Sequence, residues 1–150
     1  MGKTIYFEDV NVGDPMPTLS KGPILKLQHV LYAGASGDFN PMHTDDDFAR
    51  SVGIGDGVIT QGMLVMGFVG HAITNWVPRK DLRDFRVRFS GMTRPGSTIT
   101  ITGTVTEKKE LDGERIVVCE VIAQDETGDV KVKGSFSAAL PTRGDPRAGS

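Results

Sequence analysis

The stretch from Thr60 to about Val77 is apolar almost all round a helical period, and no other feature limits the fold as much. A helix without a polar face has to be wrapped, and in a small protein the wrapper is usually a sheet. Thr60 predicts an N-cap at its start, and Pro78 stops the chain just beyond its end. Its most apolar part, Gly62 to Gly70, spans nine residues. A membrane-crossing helix needs ~20, so the segment reads as a helix buried within protein.

The second half supplies the sheet. Phe85, Val87 and Phe89 alternate with Asp84, Arg86 and Arg88, and Ile99, Ile101 and Val105 alternate with threonines. Ile116, Val118 and Ile122 form a third run, with Val117, Cys119 and Val121 on its other face, and Val130, Val132 and Phe136 form a fourth. These period-two patterns predict half-buried antiparallel strands. Turn signals separate them at Arg94-Pro95-Gly96, Leu111-Asp112-Gly113 and Glu126-Thr127-Gly128. The fold class is α+β, with a long central helix wrapped by an antiparallel β-sheet.

Before that helix, Tyr6 to Val10 and Leu19 to Leu25 each predict a short strand. Leu27, Val30, Leu31 and Gly34 recur at three and four, which predicts a helix from Lys26 to near Gly37. Asp45 to Arg50 reads as one or two helical turns, with its acids at the N-terminal end where the helix dipole favours them. Val52 to Gly57 is a glycine-rich loop. The 150 residues predict one domain over 1–140 and a flexible polar tail over 141–150. With a net charge of -2 and no basic arm, nucleic acid is excluded as the main partner. The single Cys119 and the lack of a signal peptide suit a reducing cytoplasm.

Between the two early helices lies Tyr32-Ala33-Gly34-Ala35-Ser36-Gly37-Asp38-Phe39-Asn40-Pro41-Met42-His43. Asp38 and His43 are five apart, a spacing that a regular helix does not bring together. The Asn40-Pro41 step breaks the backbone into a turn that can gather both side chains. A structural turn alone would use the same residues. A base with an orienting partner, aimed at one water, would also look like this. At the start of the long helix, Thr60-Gln61-Gly62-Met63 reads first as a cap. Gly62 adds a place where a ligand oxygen can approach unpaired helix N–H groups.

Other constellations carry less. Gly67 and Gly70 suggest close packing against a sheet, or a narrow channel. His29 and His71 read as packed or hydrogen-bonded residues. The histidines and Asp45 to Asp47 lack metal-ligand spacing, and the acidic triplet reads as a solvated helix start. Arg79, Lys80, Arg83, Arg86 and Arg88 form a basic cluster, with an outward sheet face as the plain reading and phosphate binding as the second.

Tyr32, Ser36-Gly37-Asp38, Asn40-Pro41-Met42-His43 and Asp45 to Ala49 resemble the motif of the MaoC-like (R)-specific enoyl-CoA hydratase and 3-hydroxyacyl-thioester dehydratase family. Gln61-Gly62-Met63-Leu64 is similar to that family's helix start, and the likeness extends over roughly residues 5 to 140. The resemblance implies a single hot-dog fold and a hydro-lyase that reversibly hydrates trans-2-enoyl thioesters of coenzyme A or acyl carrier protein. Asp38 and His43 would activate one water, Asn40 would hold them, and the Gly62 N–H would bind the thioester oxygen. It implies no cofactor and no metal. A homodimer or higher homo-oligomer is expected, with a heterodimer possible. A hot-dog thioesterase, or a subunit of a hetero-oligomeric dehydratase, is the alternative. The family commonly has His where this chain has Gln61, and some members have Ser where it has Gly70, so acyl length does not carry over.

Overall fold

The computed structural model describes residues 4–144. Helices α1 (Lys26–Ser36), α2 (Asp46–Ser51) and α3 (Gly62–Trp76) follow the short strand β1 (Leu19–Lys21). Four longer strands come after them: β2 (Leu82–Phe89), β3 (Ile99–Leu111), β4 (Glu114–Gln124) and β5 (Val130–Ala139). All pairings are antiparallel, in the order β1-β3-β4-β5-β2. The sheet curls around α3, which gives the hot-dog architecture expected from the apolar helix and the period-two runs.

The core forms where α3 meets the inner face of the sheet. Val65, Val69, Ala72 and Ile73 of α3 pack with Ile99, Ile101 and Val105 of β3, Val117, Cys119, Val121 and Ala123 of β4, and Val132, Phe136 and Ala138 of β5. Each fully buried Val or Ile contributes roughly 1.5–3 kcal/mol by leaving water. Burial pushes the Cys119 thiol up to about 12, so it behaves as an inert apolar residue. Phe85 and Val87 of β2 pack against this core, so Arg86 and Arg88 alternate to the outer face.

α3 runs opposite to β2. A Cβ on Gly62 would lie 3.2 Å from the Phe89 ring, and one on Gly70 would lie 3.7 Å from the Phe85 ring. The contact at Gly70 is an ordinary van der Waals distance and a Cβ at Gly67 would meet nothing within 4 Å, so packing against the sheet requires a glycine at neither position.

Three local expectations change. Tyr6 to Val10 is not a strand: Phe7–Asp9 is a 3-10 turn. The Phe7 N–H donates to the Pro141 carbonyl at 2.9 Å, so the segment ties to the far end of the chain and joins no ladder. β1 stops at Lys21 instead of reaching Leu25, because the following Gly22-Pro23 step brings a residue with no N–H to donate. The apolar stripe that predicts α1 also faces outward: Leu27, Val30 and Leu31 are 62%, 55% and 64% exposed, while His29 and Ala33 are the buried residues. Of the expected tail, Arg143 pairs with Asp9, and residues 145–150 lie outside the described residues. No helix among the described residues is long and apolar enough to cross a membrane.

Candidate active site

α1 ends where Gly37 takes a left-handed backbone, φ 77, and returns its N–H to the Ala33 carbonyl at 2.9 Å. The chain then turns back through Asp38 and Asn40. The Asn40 side chain accepts from the Met42 N–H at 3.1 Å and caps the 3-10 turn Pro41–His43. The Asn40 N–H donates to Asp38 Oδ1 at 3.3 Å. One residue thus ties to the carboxylate through its backbone and to the turn carrying His43 through its side chain.

The turn brings the pair together. His43 Nε2 lies 3.5 Å from Asp38 Oδ2, with the imidazole side chain 10% exposed and the carboxylate 45% exposed. His43 Nδ1 lies 2.7 Å from the Ile59 carbonyl. A carbonyl only accepts, so Nδ1 carries the proton, and in the neutral ring Nε2 presents a lone pair. Two acceptors then face each other across a gap suited to a shared donor.

A buried layer braces this arrangement from behind. His29 is fully buried, its Nδ1 donating to the His43 carbonyl at 3.0 Å. By the same logic its neutral Nε2 accepts from Thr60 Oγ1 at 2.9 Å. Gln61 Nε2 donates to the His29 carbonyl at 3.0 Å. Helix α1, the His43 turn and the approach to α3 are thereby cross-linked through one ring. The glycine-rich loop leading to this segment is held by Arg94, whose Nη1 donates to the Gly57 carbonyl at 2.6 Å.

The N-cap of α3 is Gln61, not Thr60. Thr60 is buried and committed to His29, so the helix begins one residue later than a Thr60 cap requires. The Gln61 side chain folds inward and makes no capping bond. Its Oε1 is buried without a partner among the described residues. The Gly62 and Met63 N–H groups therefore have no side-chain cap, while the Leu64 N–H already donates to the Gln61 carbonyl at 3.0 Å. Gly62 itself is exposed.

The remaining candidates fall outside this cluster. His71 is exposed on α3 rather than packed in apolar surroundings. Asp45 caps α2, accepting from the Asp47 and Phe48 N–H groups at 2.9 and 3.0 Å, as its place at a helix start predicts. Asp46 pairs with Lys26 and accepts from the Val58 N–H, which holds its carboxyl below the usual range. The described residues contain no group of three or more His, Cys, Asp or Glu placed to hold a metal ion. Sequence reasoning left His29 without partners, because they lie 14 and 31 residues away.

Burial lowers the His29 pKa from its ordinary 6.5, with the His43 and Lys26 charges adding to the effect. Below pH 6.5 the unfolded chain then binds a proton that the folded chain resists. Stability from this group is level above that pH and falls as pH drops below it. His29→Gln is expected to flatten that part of the stability–pH curve, read as the difference between the urea midpoints of the two proteins at pH 7.5 and at pH 5.5. Equal slopes for both proteins would remove His29 from the titration.

A long helix wrapped by five antiparallel strands, with a carboxylate and an imidazole facing each other near its N-terminus, defines a hot-dog protein with a candidate acid–base site. The profile of the MaoC like domain matches residues 9–127. The (R)-specific enoyl-CoA hydratase of Rhodospirillum rubrum is 30% identical over 145 residues, which cover 93% of this chain and 94% of that protein. The chain belongs to the MaoC-like family. The unliganded R-hydratase of Pseudomonas aeruginosa superposes with a TM-score of 0.79 at 23% identity, over 93% of this chain and 87% of that one. The ChsH1-ChsH2 complex of Mycobacterium tuberculosis contains a chain with a TM-score of 0.72 at 22% identity, over 87% of this chain and 98% of that one. The fungal fatty acid synthase β subunits that also match are far longer, and the chain spans 4% of the one from Aspergillus oryzae.

Proposed function

We propose that the chain hydrates trans-2-enoyl thioesters to (R)-3-hydroxyacyl thioesters, and catalyses the reverse dehydration, with Asp38 and His43 sharing the reacting water. The observation that carries this reading is the pair of acceptors 3.5 Å apart, with the Nδ1 proton of His43 already given to Ile59. A water between them can donate one hydrogen to Nε2 and the other to the carboxylate, leaving an oxygen lone pair free to attack.

The oxygen attacks C3 as its proton passes to the dyad. The C2–C3 π electrons move towards the thioester, and negative charge collects on the carbonyl oxygen. The N–H of Gly62, at the positive end of α3, stabilises that enolate oxygen. The dyad then returns a proton to C2, so one water has been added and the residues are restored. Asn40 keeps the carboxylate and the imidazole in register through its two bonds. The inward Gln61 supports the site, since its side chain does not compete for the helix donors.

A second copy of the chain is the proposed partner. β2 is an edge strand of eight residues, and a free edge of that length is a ready pairing surface. Leu27 and Leu31 on α1, Phe39 next to Asp38 and Met63 in the first turn of α3 are all more than half exposed. The purified chain is expected to run in sedimentation or light scattering at twice its 16.1 kDa or a higher even multiple. A monomeric mass with full activity would contradict this. A requirement for a different chain would instead favour the heterodimeric form.

The activity is tested with crotonyl-CoA, read as loss of enoyl absorbance alongside a free-thiol assay. Hydration without thiol release supports the reading. Stoichiometric thiol release would favour a thioesterase.

A further inference from the structure

His43 takes its orientation from one carbonyl, and that carbonyl belongs to a segment that is neither helix nor strand. Residues 52–61 join α2 to α3, and within them Ile59 grips the turn of the dyad twice. Its N–H donates to the Met42 carbonyl at 3.1 Å, and its own carbonyl accepts from His43 Nδ1 at 2.7 Å. A connecting segment is mobile unless the rest of the fold holds it, so an acceptor placed there needs an outside anchor.

Arg94 supplies that anchor. It lies half-buried in the connection between β2 and β3. Its Nη1 donates to the Gly57 carbonyl at 2.6 Å, two residues before Ile59, and its Nη2 donates to the Ile54 carbonyl. The loop leaves room for the guanidinium: a Cβ on Gly55, φ 98, would lie 2.8 Å from Nη2. The neighbouring Thr93 carbonyl accepts from the Thr60 N–H at 2.8 Å, so the same connection grips the loop on both sides of Ile59. It is fixed in turn to the chain entering α1, where the Gly96 N–H donates to the Ile24 carbonyl at 2.7 Å and the Ile24 N–H to the Ser97 carbonyl at 2.9 Å. Among the described residues Arg94 forms no ion pair, and its guanidinium bonds go to main-chain carbonyls of this loop. Such charge-assisted bonds are stronger than neutral ones, and the planar fork spans two carbonyls in a fixed geometry.

We propose that Arg94 is a positioning residue for His43, an inference that rests on the hydratase reading. By clasping Ile54 and Gly57 it keeps the Ile59 carbonyl on Nδ1, and so keeps the basic Nε2 turned to Asp38. Without the clasp that carbonyl is free to leave, and the imidazole proton is free to move to Nε2. The ring would then offer a donor where the reacting water needs an acceptor.

The test compares wild type with Arg94→Gln, Arg94→Lys and Arg50→Gln. Arg50 is the control: it is exposed, pairs with Asp47 and donates to the Asp56 carbonyl of the same loop at 3.0 Å, so its loss loosens the loop and leaves the Arg94 clasp in place. Nitrogen-15 spectra of the imidazole, taken where the ring is neutral, read its tautomer, and His43→Asn identifies its signals. Wild type and Arg50→Gln are expected to show Nδ1 protonated and Nε2 bare. Arg94→Gln should show the two tautomers mixed, with kcat for crotonyl-CoA lowered ~10- to 100-fold and KM little changed. Arg94→Lys keeps the charge without the fork and should fall between, and it carries the comparison if the glutamine variant does not fold. A folded Arg94 variant with the wild-type tautomer overturns the proposal even if its rate falls, because a loss of rate with His43 unmoved marks a merely structural arginine. Mixed tautomers at an unchanged rate, or the same change in Arg50→Gln, overturn it as well. A wild type that turns over no crotonyl-CoA overturns the hydratase reading, while the tautomer ratio still decides whether Arg94 orients His43.

Discussion

Asp38→Asn and His43→Asn are each expected to lower kcat for hydration of crotonyl-CoA by ~100- to 10,000-fold, the usual contribution of a positioned acid–base group. In transition-state terms that is roughly 2.7–5.5 kcal/mol. The substitutions are chosen to spare the fold. The Asp38 carboxylate is 45% exposed, and an amide at that position keeps its size while losing one acceptor oxygen. An amide at position 43 can still donate to the Ile59 carbonyl, as the His43 Nδ1 does at 2.7 Å, but offers no basic Nε2. KM should change little, because the lost interaction is made with the reacting water. Stopped-flow loss of enoyl absorbance gives both constants, and melting curves confirm that the variants are folded. Rates near wild type for both would show that the dyad does not activate the water.

Gly134→Ala is expected to destabilise the protein by about 3 kcal/mol, at the upper end of overpacking costs. Gly134 lies in β5 opposite Val87 of β2 and Val121 of β4. An added Cβ would press into the Arg86 carbonyl oxygen and lie 2.9 Å from Val87 Cγ1. The obstacle is mostly backbone, so β2 itself must move, and β2 carries the Phe85 and Phe89 rings that meet α3. The entropic gain of Gly→Ala, about 0.4–1 kcal/mol, is too small to offset this. Urea denaturation should show a lower midpoint at an unchanged m-value. A midpoint equal to wild type would mean that the β2–β5 contact relaxes freely.

The sheet and α3 were legible in the sequence because each carries its own period, two for the strands and an unbroken apolar surface for the helix. The direction in which α1 faces was not. The Leu27, Val30 and Leu31 repeat announces a helix, but the covered residues are His29 and Ala33, which the sequence marks as nothing special. A period shows that residues share a face, and only the packed neighbours decide whether that face is inside. Tyr6 to Val10 misled for a related reason, since a strand needs a partner edge and this segment bonds to Pro141 instead.

The candidate site divides in the same way. Asp38, Asn40 and His43 were visible because a turn built on Asn-Pro is a local event, and the fold brings the carboxylate and imidazole to 3.5 Å. The support behind them was hidden. Thr60 looked like a cap, yet its hydroxyl serves His29, and the cap position passes to Gln61. The clasp of Arg94 on Gly57 likewise joins residues 37 apart, which no local pattern in the sequence prints.

The most direct measurement is the fate of crotonyl-CoA mixed with the purified wild-type chain, with product chirality and free thiol followed together. Formation of (R)-3-hydroxybutyryl-CoA with no thiol release is the expected result. Release of coenzyme A, or an enoyl absorbance that never falls, would contradict a water held between Asp38 and His43.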